Sequence, residues 1–101
     1  MVKKYKINDN YYELIENYKD GFSLTDVTEK MTEYFDDYDY VIGDWAYGKL
    51  RLKGFCYSGN PIYRKINDIN NKDEYIKNYC AYDCRYFVLK KINTSDEDDE
   101  A

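Results

Sequence analysis

The chain has no histidine, one proline, five glycines and three cysteines among its 101 residues. Each scarcity excludes something. Without histidine the commonest general acid–base and a frequent metal ligand are missing, so no catalytic residue is assigned. No stretch approaches the ~18 apolar residues of a membrane-spanning helix, and the start lacks the apolar run of a signal peptide. An odd number of cysteines without the spacing of a secreted scaffold predicts free thiols in a reducing cytosol. Cys56, Cys80 and Cys84 fall one short of the four ligands of a closed zinc site or an iron–sulfur cluster, so neither metal nor cofactor is expected.

What is abundant is tyrosine. There are 14, within an aromatic content of 19%. A core built from such rings can bury their bodies while the hydroxyls stay near water. The formal net charge is −5, unevenly spread. Asp96 to Glu100 are five acids in a row, and without them 15 acidic residues face 15 basic ones. The expectation is a single, electrically neutral domain over residues 1–93, followed by a disordered acidic tail over 94–101.

Periodicity orders the elements. Tyr5–Ile7 and Tyr11–Asn17 read as a hairpin around the Asn8-Asp9-Asn10 turn. Ser23 is a helix cap answered by Asp26, and Leu24, Val27, Met31, Tyr34 and Phe35 form one apolar stripe. Tyr38–Ile42 reads as a buried strand and Lys49–Phe55 as an alternating one. Residues 61–71 carry little pattern. Lys72–Tyr82 predicts a second helix burying Tyr75, Ile76 and Tyr79, and Tyr86–Ile92 a last strand. The order β-β-α-β-β-α-β defines an α+β fold, a mainly antiparallel sheet packed by two helices.

The stretch Tyr38–Phe55, YDYVIGDWAYGKLRLKGF, stands out. It predicts two strands around a loop, Gly43–Gly48, holding Asp44, Trp45 and Tyr47. Gly43–Lys49 also fits the first seven positions of a P-loop. Leu50 replaces the magnesium-binding hydroxyl, however, and a strand follows where a helix must open. Lys49, Arg51 and Lys53 project together, with Arg85, Lys90 and Lys91 expected on a neighbouring strand. Cations beside exposed rings are the ingredients of single-stranded RNA binding. Pairing with acids across the sheet is the alternative. Trp45 is expected half-buried with one exposed edge, between a binding anchor and a core residue. Cys80 is placed in the last helical turn, Asp83 near the C-cap and Cys84 at the strand entrance, as small structural hydrophobes.

Three pieces, YELIENYKDGF at Tyr12–Phe22, YDYVIGDWAYGKLRLKGF at Tyr38–Phe55 and CAYDCRYFVLKK at Cys80–Lys91, resemble the YutD-like family of low-GC Gram-positive bacteria and their relatives. Asp83 stands where that family carries glycine before the second cysteine, which argues against a metal loop. The resemblance implies a cytosolic, bacterial, single-domain protein and carries over no functional residue.

The reading that follows is a small cytosolic binding module, an interaction or accessory factor in gene expression with a protein partner. Its expected binding residues are Asp44, Trp45, Tyr47, Lys49, Arg51 and Lys53. The alternatives are an RNA-binding domain using the basic strand face and aromatic loop, and a small enzyme using Asp44 or a thiol.

Overall fold

A computed structural model describes residues 3–79 and 84–92. Five strands and two helices follow the expected order: β1 (Lys3–Ile7), β2 (Asn10–Tyr18), α1 (Leu24–Lys30), β3 (Tyr40–Ala46), β4 (Lys49–Phe55), α2 (Lys72–Tyr79) and β5 (Tyr86–Ile92). The strands form one sheet in the order β1-β2-β5-β3-β4, and every neighbouring pair is antiparallel. The last strand in sequence thus lies at the centre, and the hairpins β1–β2 and β3–β4 flank it.

Alternation along the strands builds two cores on opposite faces. Val41, Leu50, Phe87 and Leu89 meet Val27 and Met31 of the α1 segment. Their neighbours Tyr40, Ile42, Phe55 and Val88 meet Tyr75 and Ile76 of α2. Burying each large apolar side chain of this kind contributes ~1.5–3 kcal/mol, so β5, with three consecutive residues fully buried, is the spine of the molecule. Between Leu14 and Glu16 the register of β2 against β5 shifts, a bulge that leaves Ile15 half exposed.

Ser23 caps α1 by accepting from the Asp26 amide, and the helix ends at Lys30, shorter than its apolar stripe. Met31 has extended backbone, and Thr32 caps a separate short 3-10 turn over Glu33–Phe35. Val27, Met31 and Phe35 of the expected stripe are buried, but Leu24 and Tyr34 are exposed, because the chain leaves the helix at Met31 and turns into the 3-10 element. The weakly patterned stretch holds two further 3-10 turns, Lys65–Asn67 and Ile69–Asn71.

The expected acidic tail, Cys80 and Asp83 lie outside the described residues. Cys56 is free and buried, and burial pushes its thiol pKa up, as expected of a structural thiol. Cys84, by contrast, is disulfide-bonded, which corrects the expectation that all three thiols are free. An odd count demands one unpaired cysteine at least, and among the described residues Cys56 is free. No helix among the described residues is long and apolar enough to cross a membrane.

Candidate binding surface

The hairpin β3–β4 carries all six residues singled out by sequence, but its loop is much shorter than expected. β3 continues through Ala46, and Ala46 pairs with Lys49, so only Tyr47 and Gly48 turn the chain. Gly43 is a strand residue, not a loop residue. A β-carbon there would sit 2.1 Å from Cζ of Phe87, so the missing side chain is the space that the central ring of β5 fills. Gly54 plays the same part at the outer strand, where the Tyr38 ring occupies the space of a side chain. Glycines covered by aromatic rings are a sheet device, and they explain a glycine pattern that otherwise reads as loop chemistry.

Tyr47 and Gly48 have φ of 54° and 75°. Positive φ at both central residues is what a tight two-residue hairpin turn requires, because its twist then matches that of the strands. Glycine and asparagine take that conformation readily; a tyrosine does so against steric preference. The Tyr47 side chain packs on nothing that would offset the cost, for it is 100% exposed.

Trp45, two residues before, is held firmly. Its ring is half-buried against the α1-side core, and Nε1 donates to the Gly21 carbonyl at 2.7 Å. The Arg85 guanidinium lies over the ring, 4.7 Å from its centroid. One face is thus structural and the other carries a cation, a geometry favourable by ~0.5–1 kcal/mol or more where it is desolvated. Asp44 is buried at 3% exposure, and Arg51 grips it with two bonds, Nε to Oδ1 at 2.9 Å and Nη2 to Oδ2 at 2.7 Å. The two residues face each other in the strand register, so the pair is a cross-strand clamp.

The basic stripe is divided among different tasks. Arg51 belongs to Asp44, and the bond raises its pKa further. Lys53 lies over the rings of Phe55 and Tyr75, at 5.6 and 5.7 Å from their centroids. Lys49 is exposed beside the turn. The expected neighbouring cations are elsewhere, because β3 separates β4 from β5. Lys91 reaches the Asp36 carbonyl, and Lys90 lies opposite Tyr40 on the α2-side face. Among these, only Arg85 joins the hairpin end, through Trp45.

Two contributors to the surface were not expected there: Tyr34, which the apolar stripe placed in the core, and Asn67, which lies in a stretch without pattern. Tyr34, 67% exposed, joins its hydroxyl to that of Tyr38 at 3.1 Å, and the pair borders β4. Asn67 is buried at 4% exposure and fully engaged. Its Oδ1 accepts from the Arg64 amide at 2.8 Å, and its carbonyl from the Cys56 amide at 2.9 Å. An asparagine in a stretch without periodicity gives no signal of such a role; Gly54 facing an aromatic did, had glycine been read as a packing residue.

The family described as "Putative antitoxin YutD-like" matches residues 6–90. "Putative antitoxin YutD" of Bacillus subtilis (strain 168) is 43% identical over 86 residues, which cover 85% of this chain and 94% of that protein. The solution NMR structure of protein yutD from B. subtilis shares the fold, with a TM-score of 0.74 at 41% identity over 90% of this chain and 83% of that one. The resemblance carried by Tyr12–Phe22, Tyr38–Phe55 and Cys80–Lys91 is thereby confirmed, and the chain belongs to the YutD-like family.

Proposed function

We propose that the protein is a non-enzymatic binding module that holds a protein partner at the tip and outer strand of the β3–β4 hairpin. The observation that carries this reading is Tyr47, a fully exposed ring in a backbone conformation that disfavours it. Strained backbone conformations cluster at active sites, ligand clamps and switch regions, and tyrosine is among the residue types enriched at interface hot spots. Trp45 with Arg85, Lys49 and the Asp44–Arg51 clamp form its base. Tyrosine, tryptophan and arginine are the residue types that dominate interface energetics.

The name of the relative supports a binding role, since an antitoxin acts by countering a partner. Asp44 is consistent with it: its carboxylate is buried and bound at both oxygens by Arg51, the arrangement of a structural clamp. The stripe favours protein over RNA, because Arg51 and Lys53 are engaged within the fold rather than aligned for phosphates.

The test is affinity capture from the native cell by the full chain and by Tyr47→Asn, each with and without ribonuclease. The wild type should retain a protein after ribonuclease, and Tyr47→Asn should lose it while remaining folded. Loss of all capture after ribonuclease, with a steep fall of affinity in salt, would replace this reading with RNA binding.

A further inference from the structure

The start of β5 meets the ends of β2 and β3, and left-handed backbone gathers at this end of the sheet. Lys19 and Asp20, just after β2, both have φ of 54°, as does Tyr47 just after β3. Among the described non-glycine residues only Asn8, whose type tolerates that region, has positive φ at the other end. The Lys19–Asp20 turn is closed by Asn17, whose Oδ1 accepts from the Phe22 amide at 3.0 Å. It lays Gly21 on the backbone of Tyr86, where a β-carbon would come within 2.8 Å of the amide nitrogen. From there the Gly21 carbonyl takes the indole N–H of Trp45. The Trp45 amide in turn donates to the Arg85 carbonyl at 3.1 Å, and the Arg85 guanidinium lies over the Trp45 ring. A strained turn thus fixes the indole, and the indole fixes the guanidinium.

Contact through its face leaves the edge donors of a guanidinium unused. Arg85 is exposed, and among the described residues no carboxylate meets it: the ion pairs lie at Asp44–Arg51 and at Lys72 with Glu16 and Asp73. Arg51 shows the contrasting case, a fork whose edge is filled by both oxygens of Asp44. An oriented fork with an open edge takes a carboxylate or a phosphate by two parallel bonds. Surroundings decide between them. A nucleic acid is held by a track of cations, and none runs past Arg85. Lys90 and Lys91 sit toward the other end of β5, while Lys49 and Arg51 alternate onto the opposite face from Trp45. A single fork near an exposed tyrosine matches one acidic side chain at a protein interface, where such a pair gives specificity and register.

We propose that Arg85, stacked on Trp45, is the specificity-determining residue of the interface and receives a side-chain carboxylate of the protein partner. The proposal rests on the protein-binding reading above and names what the partner presents next to the Tyr47 anchor.

The probe is N-acetylglutamic acid α-amide, whose one carboxylate is the side chain, titrated into the isotope-labelled full chain and followed by NMR. The Nε–H signals of Arg85 and of Trp45, the one tryptophan of the chain, should shift and saturate. N-acetylglutamine α-amide should move neither. Arg85→Gln and Arg85→Lys should abolish the response while keeping the wild-type melting temperature and tryptophan emission. Both variants should also weaken capture of the ribonuclease-resistant protein by at least about tenfold, lysine included, because it keeps the charge but loses the fork. A glutamate amide that moves neither signal overturns the proposal. Shifts produced only by inorganic phosphate, or only by N-acetylglycine, would mean a phosphoryl group or a chain terminus and overturn it too. If truncation after Thr94 alone moves both signals, the chain's own acids Asp96–Glu100 fill the fork, and the proposal falls. Capture that is lost in Tyr47→Asn but unchanged in both Arg85 variants overturns this proposal alone. Absence of any ribonuclease-resistant capture overturns the protein-binding reading with it.

Discussion

The two hairpins that flank β5 share a plan and differ in how far they obey local rules. Each turns through two residues with a positive φ at the first, Asn8 at 58° and Tyr47 at 54°. Each has an outer strand bearing three cations: Lys3, Lys4 and Lys6 on β1, and Lys49, Arg51 and Lys53 on β4. In the first hairpin the turn residue is one that tolerates the left-handed region, and its side chain is also used, since Nδ2 of Asn8 donates to the Met31 carbonyl at 2.9 Å. In the second a bulky ring takes that position and points into solvent. Cations on an outer strand therefore do not mark a site, because edges carry charge to avoid pairing at random. An exposed ring that contradicts its own backbone does.

The largest expected effect breaks the comparison at the strands. Arg51→Ala leaves the Asp44 carboxylate buried without its partner. Removing one partner of a fully buried pair costs ~3–5 kcal/mol, and because Arg51 is 48% exposed the cost here should be ~2–4 kcal/mol. The matching change on the other outer strand, Lys6→Ala, removes only an exposed amine 5.8 Å from the Tyr11 ring and should stay within ~0.5 kcal/mol. Urea denaturation of both variants reads the difference. Equal losses would mean that the two stripes have the same role.

The turns give the next test. Asn8→Ala removes the bond to Met31 and puts alanine where φ is positive, so it should destabilise by ~1–2 kcal/mol. Tyr47→Asn should go the other way and stabilise by ~0.5–1 kcal/mol, because asparagine suits the turn and no packing is lost. Thermal melts of the pair would show opposite signs. A Tyr47→Asn variant that melts lower would mean that the ring supports the fold after all, and would weaken the binding reading.

How much of this was legible in the sequence follows from the range of the forces involved. β5 and the order of elements were readable because alternation and capping act over a few residues: Ser23 with Asp26 sets the start of α1, and Tyr86–Ile92 agrees in both bounds. The extent of the β3–β4 loop was not, because Gly43 looks like a breaker until Phe87, 44 positions away, is known to lie over it. The same holds for the site. Asp44, Trp45 and Arg51 could be singled out by type, but their separation into a buried clamp and a cation-bearing ring depends on Gly21 and Arg85, which only the sheet brings near. The central place of β5 between the hairpins likewise decides which cations share a surface, and no local pattern encodes strand order.

The smallest effect at neutral pH separates two kinds of departure from local rules. The first hairpin has its own flaw, since the Tyr12 hydroxyl is buried without a hydrogen-bond partner. The ring belongs to the α1-side core, with Asn10 and Asp36 as the polar groups near its hydroxyl, and it marks a packing compromise rather than a site. Tyr12→Phe should accordingly be neutral or stabilising by at most ~1 kcal/mol, where most buried substitutions destabilise. Alkali gives the sharper reading. Burial, followed by the charge of Asp36, pushes the Tyr12 pKa from 10.0 up to about 12. The folded chain therefore holds this proton more tightly than the unfolded one. The associated stability is complete below the unfolded pKa near 10 and is lost as pH rises through the folded value. Urea midpoints between pH 9 and 12 should fall less for Tyr12→Phe than for the wild type. A Tyr12→Phe variant whose midpoint falls as steeply as the wild type's would mean that this buried hydroxyl does not carry the alkaline loss, and that the flaw of the first hairpin lies elsewhere.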